Sequence, residues 1–331
     1  MTIDDGTVEV TPGFVDLQTN GVGSVDFWTA DRDAWRAAGA SLLTTGVTSY
    51  LPTFPSGPLG AYDAALDRAV DAQADAAARH LPHIAGVHLE GPFLGDAPGA
   101  HPQELLHPMD VDWLMARVDR HPGLVRLVTL APEADPNFAG IRALREHGVT
   151  VALGHSRCDY DTAVAAADAG ARLVTHLFNG MGPRHHRAPG LAGAALDPAV
   201  DLTPTLIADG AHVHPAVLRS LRDVDVILVT DAVATGVEYF GQNVTARDGA
   251  AFLTDGTLTG STLAMDQAIR NLVGWGWSVE RTLTAATTRP AGIASCLSSG
   301  PGDLRGDRIV LDRSTLEVRG VWVAGEHVYG S

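Results

Sequence analysis

The 331-residue chain contains no lysine: all 23 of its basic residues are arginine, set against 39 acidic residues and a formal net charge of −16. That absence excludes Schiff-base catalysis, a P-loop lysine and a carboxylated-lysine bridge between two metals. Cysteine is almost as scarce. Cys158 and Cys296 stand far apart with no CxxC pair, which argues against a disulfide framework or a cysteine-built zinc module. The acidic balance argues against nucleic acid and anionic membrane surfaces as partners. No apolar run reaches the roughly 18 residues of a membrane span, and the opening "MTIDDGTVEV" has no apolar signal segment. The expectation is a cytoplasmic protein. A hydrophobic content of 45% with 19% charged residues is a globular balance, sufficient for one large α/β domain or two smaller ones.

What the chain does have is alternation. Short β-branched runs read as strands at 13–16, 46–53, 83–90, 124–130, 149–153, 172–176, 205–209 and 226–231. Ala/Leu/Arg-rich helical stretches such as 62–80 and 160–170 fall between them. Eight such units predict a (β/α)₈ barrel. The tail, "GDLRGDRIVLDRSTLEVRGVWVAGEHVYGS", is valine-rich with short turns and no helical period. It predicts a small β element. The expected organisation is a short strand of that element over 1–11, a barrel over 12–298 and a C-terminal β segment over 299–331.

Polar residues gather at the ends of these strands. Asp16, Glu90, His155, His176, Asp209 and Asp231 all fall at or just past a predicted strand's C-terminal end, the face on which such barrels build active sites. Any one of them could be a helix cap or a satisfied core residue. Six on one edge point to function. Glu90, His155 and His176 make a His₂Glu set, suited to catalytic zinc with one position open for water. His88 shares the strand face of Glu90 and is read as supporting it or as core. Asp231, at the last strand, is placed to take a proton from an activated water and return it to a leaving amine. "GAH" (99–101), "DGAH" (209–212) and "GTLTG" (256–260) are candidate substrate loops. The run His185, His186, Arg187 is either a solvated loop or a phosphate grip, since a guanidinium fork binds two oxygens at once.

The motifs "PGFVDLQTNG", "GVHLEGPFL", "GHS", "THLFNGM", "HHRAPG", "IADGAHVHP", "LVTDA" and "LTGSTLAMDQAIRNLV", in this order and spacing, resemble those of the N-acetylglucosamine-6-phosphate deacetylases of the amidohydrolase superfamily. The resemblance runs from about Pro12 to the C-terminal β segment. It implies a metal at Glu90, His155 and His176, Asp231 as general base and then acid, and His101 polarising the acetamide carbonyl. It implies substrate contacts at Ala100, Asn179, Gly180, Arg187, His212, Leu258, Thr259 and Gly260. It further implies a homodimer, because the phosphate-binding arginine in this family reaches over from the neighbouring subunit.

The sequence departs from that pattern in places. Only about ten residues precede "TPGFVD", so the small β domain is expected to be reduced and built mainly from the C-terminus. Ala188 stands where the family commonly has an acidic residue after the arginine. Where many amidohydrolases carry an HxH pair on the first strand, "DLQTNG" offers Gln18 and Asn20, neutral amides that are poor zinc ligands beside imidazole. Their alternate spacing points both at the barrel mouth in a hydrogen-bonding role. The expected cofactor is one divalent ion per chain, Zn²⁺. The expected reaction releases acetate from N-acetylglucosamine 6-phosphate to give glucosamine 6-phosphate. The alternatives are another N-acetyl amino sugar (the galactosamine epimer or an unphosphorylated sugar) and a catalytically silent sugar-phosphate binder.

Overall fold

A computed structural model describes residues 7–239, 241–295 and 306–330. After β1 (Val8–Pro12), eight parallel strands follow: β2 (Phe14–Thr19), β3 (Val47–Pro55), β4 (Val87–Glu90), β5 (Val125–Leu130), β6 (Thr150–Leu153), β7 (Leu173–Val174), β8 (Thr203–Leu206) and β9 (Ile227–Leu228). Each pairs with the next in parallel. All eight predicted strands are present. Their residues are buried on both faces, most fully in β3, where all nine positions are buried. Near-continuous apolar runs are what a helix-covered parallel sheet demands.

The barrel closes just past the end of β9. The Asp231 N–H donates to Gln18 O at 2.9 Å and the Asn20 N–H to Ala232 O at 2.7 Å. Asp16 locks this seam. Its buried carboxylate accepts from the hydroxyls of Thr19 (2.8 Å) and Thr230 (2.5 Å) and from the N–H groups of Gln18 and Thr230. Burial nevertheless pushes its carboxyl above the ordinary range. Asp16 therefore serves strand closure and does not line the reactive cavity, a correction to its place among the strand-end candidates.

Helices α1 (Arg32–Thr44), α2 (Tyr62–Ala78), α3 (Val111–Arg120), α4 (Ala139–Glu146) and α5 (Tyr160–Ala169) cover the first five crossovers. Asp31, Asp110 and Asp159 cap three of them, each accepting a backbone N–H three residues on. The short α6 (Gly190–Ala195) and α7 (Pro215–Ser220) follow β7 and β8. Between β9 and the next helices lies an antiparallel insertion that periodicity did not reveal. It comprises β10 (Thr245–Arg247), β11 (Ala250–Phe252) and β12 (Leu258–Ser261), three or four residues each and too short to show an alternation. Helices α8 (Met265–Gly274), α9 (Val279–Ala286) and α10 (Thr288–Ser295) complete the ring.

The tail forms β13 (Arg308–Asp312), β14 (Val318–Val323) and β15 (Glu326–Gly330), joined by β1 into a four-stranded antiparallel sheet. Three of its four strands are C-terminal. Ile309, Leu311, Val321 and Val323 join the same apolar core as the barrel. The expected boundary at 298/299 and most of segment 1–11 lie outside the described residues.

Candidate metal centre and substrate cavity

Three strand-end side chains converge above the barrel. Glu90 is the last residue of β4, while His155 and His176 lie just past β6 and β7. His155 Nε2 and His176 Nε2 stand 3.2 and 3.1 Å from Glu90 Oε1, and 3.1 Å from each other. All three residues are buried. His155 Nδ1 lies 3.1 Å from the Ala97 carbonyl. A carbonyl only accepts, so the proton is on Nδ1 and Nε2 presents a lone pair. With the ring neutral, that lone pair faces a carboxylate oxygen, an arrangement of two acceptors that a cation between them satisfies. The separations near 3.1–3.2 Å approach the edge of a tetrahedron whose ligands lie about 2.0–2.1 Å from zinc, about 3.3 Å. The donor set fits a divalent metal. It is the one cluster of three or more such ligands among the described residues.

The backbone is bent to bring these groups together. His155, His176 and Asp231 have φ values of 48°, 28° and 49°, a left-handed region costly for residues with a Cβ. Such strain persists where the surrounding fold imposes it, commonly at functional sites.

Asp231 is held by two amides. Asn20 Nδ2 donates to its Oδ1 at 2.7 Å and Gln18 Nε2 at 3.1 Å. Gln18 Nε2 also donates to Glu90 Oε1 at 3.0 Å, and its own Oε1 accepts from the Thr175 hydroxyl at 2.9 Å. Of the amides at the HxH place, Gln18 thus bridges Glu90 and Asp231 while Asn20 holds Asp231 alone, both in hydrogen-bonding roles. Burial, then the nearby Glu90 charge, pushes Asp231 up to about 6. Burial would also raise Glu90, but the His155, His176 and His101 rings gathered around it hold it well below the usual range.

His101 approaches from the loop after β4, with Nε2 at 3.9 Å from Glu90 Oε2. Its Nδ1 accepts the Ser56 backbone N–H at 3.2 Å, so the ring proton is on Nε2 and points into the site. Burial depresses its pKa to about 3. His101 is a neutral donor. His88 lies beneath, fully buried between Thr129 Oγ1 (2.8 Å) and Thr53 Oγ1 (3.3 Å), which makes it a supporting residue and not a ligand. Asp209 does not face the metal centre either. Its Oδ2 accepts a hydrogen bond from His212 Nδ1–H at 2.6 Å and fixes that ring.

A cavity of about 210 Å³ opens over these groups. Ala100, Asn179, Gly180, His212, Leu258, Thr259 and Gly260 all line it beside Glu90, His101, His155, His176 and Asp231. Gly260 has φ +60° and an added Cβ would meet Val233 at 2.5 Å, so only glycine fits there. Arg187 is not among the lining residues. It is exposed in its own chain, with Nη1 2.8 Å from His186 Nε2. Sequence reasoning missed a further part of the lining, where the segment between β9 and β10 supplies Val233, Val237, Tyr239 and Val244. It also missed Ser56 and Thr175, whose role is to orient a neighbour and which no motif marks.

Known proteins resemble this chain over most of its length. A sequence model of the Amidohydrolase family matches residues 10–297. The N-acetylglucosamine-6-phosphate deacetylase of Bos taurus is 38% identical across 98% of this chain and 85% of its own. The crystal structure of N-acetylglucosamine-6-phosphate deacetylase from Pasteurella multocida superposes with a TM-score of 0.87 at 29% identity, over 97% of this chain and 87% of that one. A mutant of the Mycobacterium smegmatis deacetylase, solved in complex with N-acetyl-D-glucosamine-6-phosphate, gives 0.85 at 32% identity over 97% and 87%. The chain belongs to the amidohydrolase family and, within it, to the family of the N-acetylglucosamine-6-phosphate deacetylases.

Proposed function

We propose that this protein hydrolyses the acetamide of N-acetylglucosamine 6-phosphate to glucosamine 6-phosphate and acetate, using one divalent ion per chain, zinc. The observation that carries the reading is the His155 lone pair facing Glu90 Oε1 at 3.2 Å, with an acid–base carboxylate and a neutral imidazole donor beside it. When bound at Glu90, His155 and His176, the ion supplies a Lewis acid for the acetamide carbonyl and lowers the pKa of the attacking water.

The remaining chemistry belongs to the chain. Asp231, ionised above about pH 6, takes a proton from the attacking water as its oxygen bonds to the carbonyl carbon. The same carboxyl then gives that proton to the amide nitrogen as the C–N bond breaks, so the sugar leaves as an amine and not as an anion. His101 donates its Nε2 proton in a hydrogen bond to the carbonyl oxygen, whose negative charge grows in the transition state. Gln18 and Asn20 occupy Asp231 Oδ1, which leaves Oδ2 as the oxygen that exchanges the proton. His212, fixed by Asp209, and Asn179 and Thr259 supply polar contacts to the sugar.

Arg187 is proposed as the phosphate clamp of a neighbouring subunit, which makes the working unit a homodimer. Its exposed position outside its own chain's cavity suits that role. Acetate release from a panel of N-acetyl sugars and their 6-phosphates, with and without chelator, tests the whole reading. Chelator-sensitive turnover highest on N-acetylglucosamine 6-phosphate supports it. Preference for the galactosamine epimer or an unphosphorylated sugar would reassign the substrate, and no release from any would leave a binding protein.

A further inference from the structure

One charged group in the cavity has no part in this chemistry. Asp26 lies at the end of a two-residue strand, Val25–Asp26, and lines the cavity, near enough to Tyr239 for that hydroxyl to feel its charge. Its Oδ1 accepts the Trp28 backbone N–H at 2.9 Å, and its carbonyl accepts the N–H groups of Thr29 (3.2 Å) and Ala30 (2.9 Å). The turn therefore fixes the side chain. Oδ2 accepts no hydrogen bond from any described residue and keeps some contact with solvent. Burial pushes the Asp26 carboxyl above its ordinary range, while the Trp28 N–H and the Arg68 charge act the other way; the Arg68 Nη2 group itself donates to the Trp28 carbonyl.

The substrate class named above carries three kinds of polar group. The acetamide must sit against Glu90, His101 and Asp231. The phosphate carries a negative charge of its own and is repelled by a free carboxylate within the same cavity. Only the ring hydroxyls remain for Oδ2, and a carboxylate is the strongest acceptor a protein offers a hydroxyl donor. We propose that Asp26 is a specificity-determining residue whose free Oδ2 accepts a hydrogen bond from a sugar ring hydroxyl, and that it selects for that hydroxyl's presence and configuration. A site built to bond a hydroxyl rejects analogues lacking it, because its own polar group is then left unpaired.

The inference rests on the deacetylase reading, and the test separates the two. Acetate release is measured for N-acetylglucosamine 6-phosphate and its 1-deoxy, 3-deoxy and 4-deoxy analogues with the metal-loaded wild type, Asp26→Ala and Asp26→Asn. In the wild type, one analogue should lose roughly 10–100-fold in kcat/KM, the range for a hydrogen bond to a charged group. In Asp26→Ala the parent sugar should fall by a similar factor, and removing that same hydroxyl should then cost nothing further. Asp26→Asn keeps an oxygen to cap the Trp28 N–H, so it preserves the turn and should give an intermediate loss confined to the same hydroxyl. If both variants lower all four substrates by one common factor, Asp26 only builds the turn and the inference fails. If the wild type releases no acetate from any of them, the deacetylase reading falls first and takes this inference with it.

Discussion

Replacing Asp231 by asparagine probes the proposed chemistry with the least disturbance to the fold. The residue sits at φ 49°, a conformation asparagine tolerates better than most residues, so the backbone should hold. An asparagine Oδ1 can still accept from Asn20 and Gln18, whose donors now lie 2.7 and 3.1 Å away. What disappears is the second basic oxygen. A general acid–base group contributes about 10²–10⁴ in rate, and here one carboxylate serves both half-reactions, so a fall of about 10³ or more in kcat is expected. That corresponds to about 4 kcal/mol in barrier. Acetate release, metal content and melting temperature of the same preparation should show lost turnover with one ion retained and an unchanged fold. The wild-type pH profile supplies a second readout. The base works only when ionised, so kcat/KM falls as the pH drops through its pKa, about 6, or lower once a bound cation favours the charged form. That acidic limb should vanish in the variant. Turnover within tenfold of wild type would remove Asp231 from the mechanism.

Other substitutions separate the remaining roles. Gln18→Leu removes the amide that bridges Glu90 and Asp231 and should weaken metal affinity or activity by about 10–100-fold, read by competition with a chromophoric chelator; unchanged affinity and rate would make Gln18 filler. Arg187→Ala should raise KM for the phosphorylated sugar by roughly 30-fold or more, the ~2–4 kcal/mol of a truncated desolvated charge pair, with little change for the unphosphorylated sugar. Mixing it with Asp231→Asn protein should restore part of the activity, and equal effects on both sugars would refute the clamp. Asp16→Ala strips the partner from two hydroxyls and two backbone N–H groups in the closing seam, so it should cost several kcal/mol of stability. A melting temperature within a degree of wild type would contradict the closure role.

The eight strands were legible because parallel strands under helices are apolar on both faces, a signal that survives in single segments such as "LVRLVTL". Glu90, His155 and His176 were legible because the barrel places reactive side chains at strand ends. The same rule overreached at Asp16 and Asp209. A strand-end carboxylate can bond threonine hydroxyls at a seam or hold a histidine ring as readily as it faces the cavity, and its neighbours in sequence do not tell these fates apart. Arg187 shows a different limit, since the single chain leaves it at the surface and the role proposed for it calls on a second subunit. Val233, Val237, Tyr239 and Val244 were illegible for a simpler reason. They stand in the short segment between β9 and β10, interspersed with polar residues and glycines, with too few alternations to register as a period.

Metal stoichiometry tests the central reading most directly. Metal-free protein is titrated with zinc while acetate release from N-acetylglucosamine 6-phosphate is followed, with the bound ion counted by elemental analysis at each step. With Gln18 and Asn20 in place of the HxH pair and no lysine to bridge a second ion, activity should be absent at the start, rise linearly and break at one ion per chain. Full turnover without metal, or a break at two ions with both required, would contradict a centre built from Glu90, His155 and His176 alone.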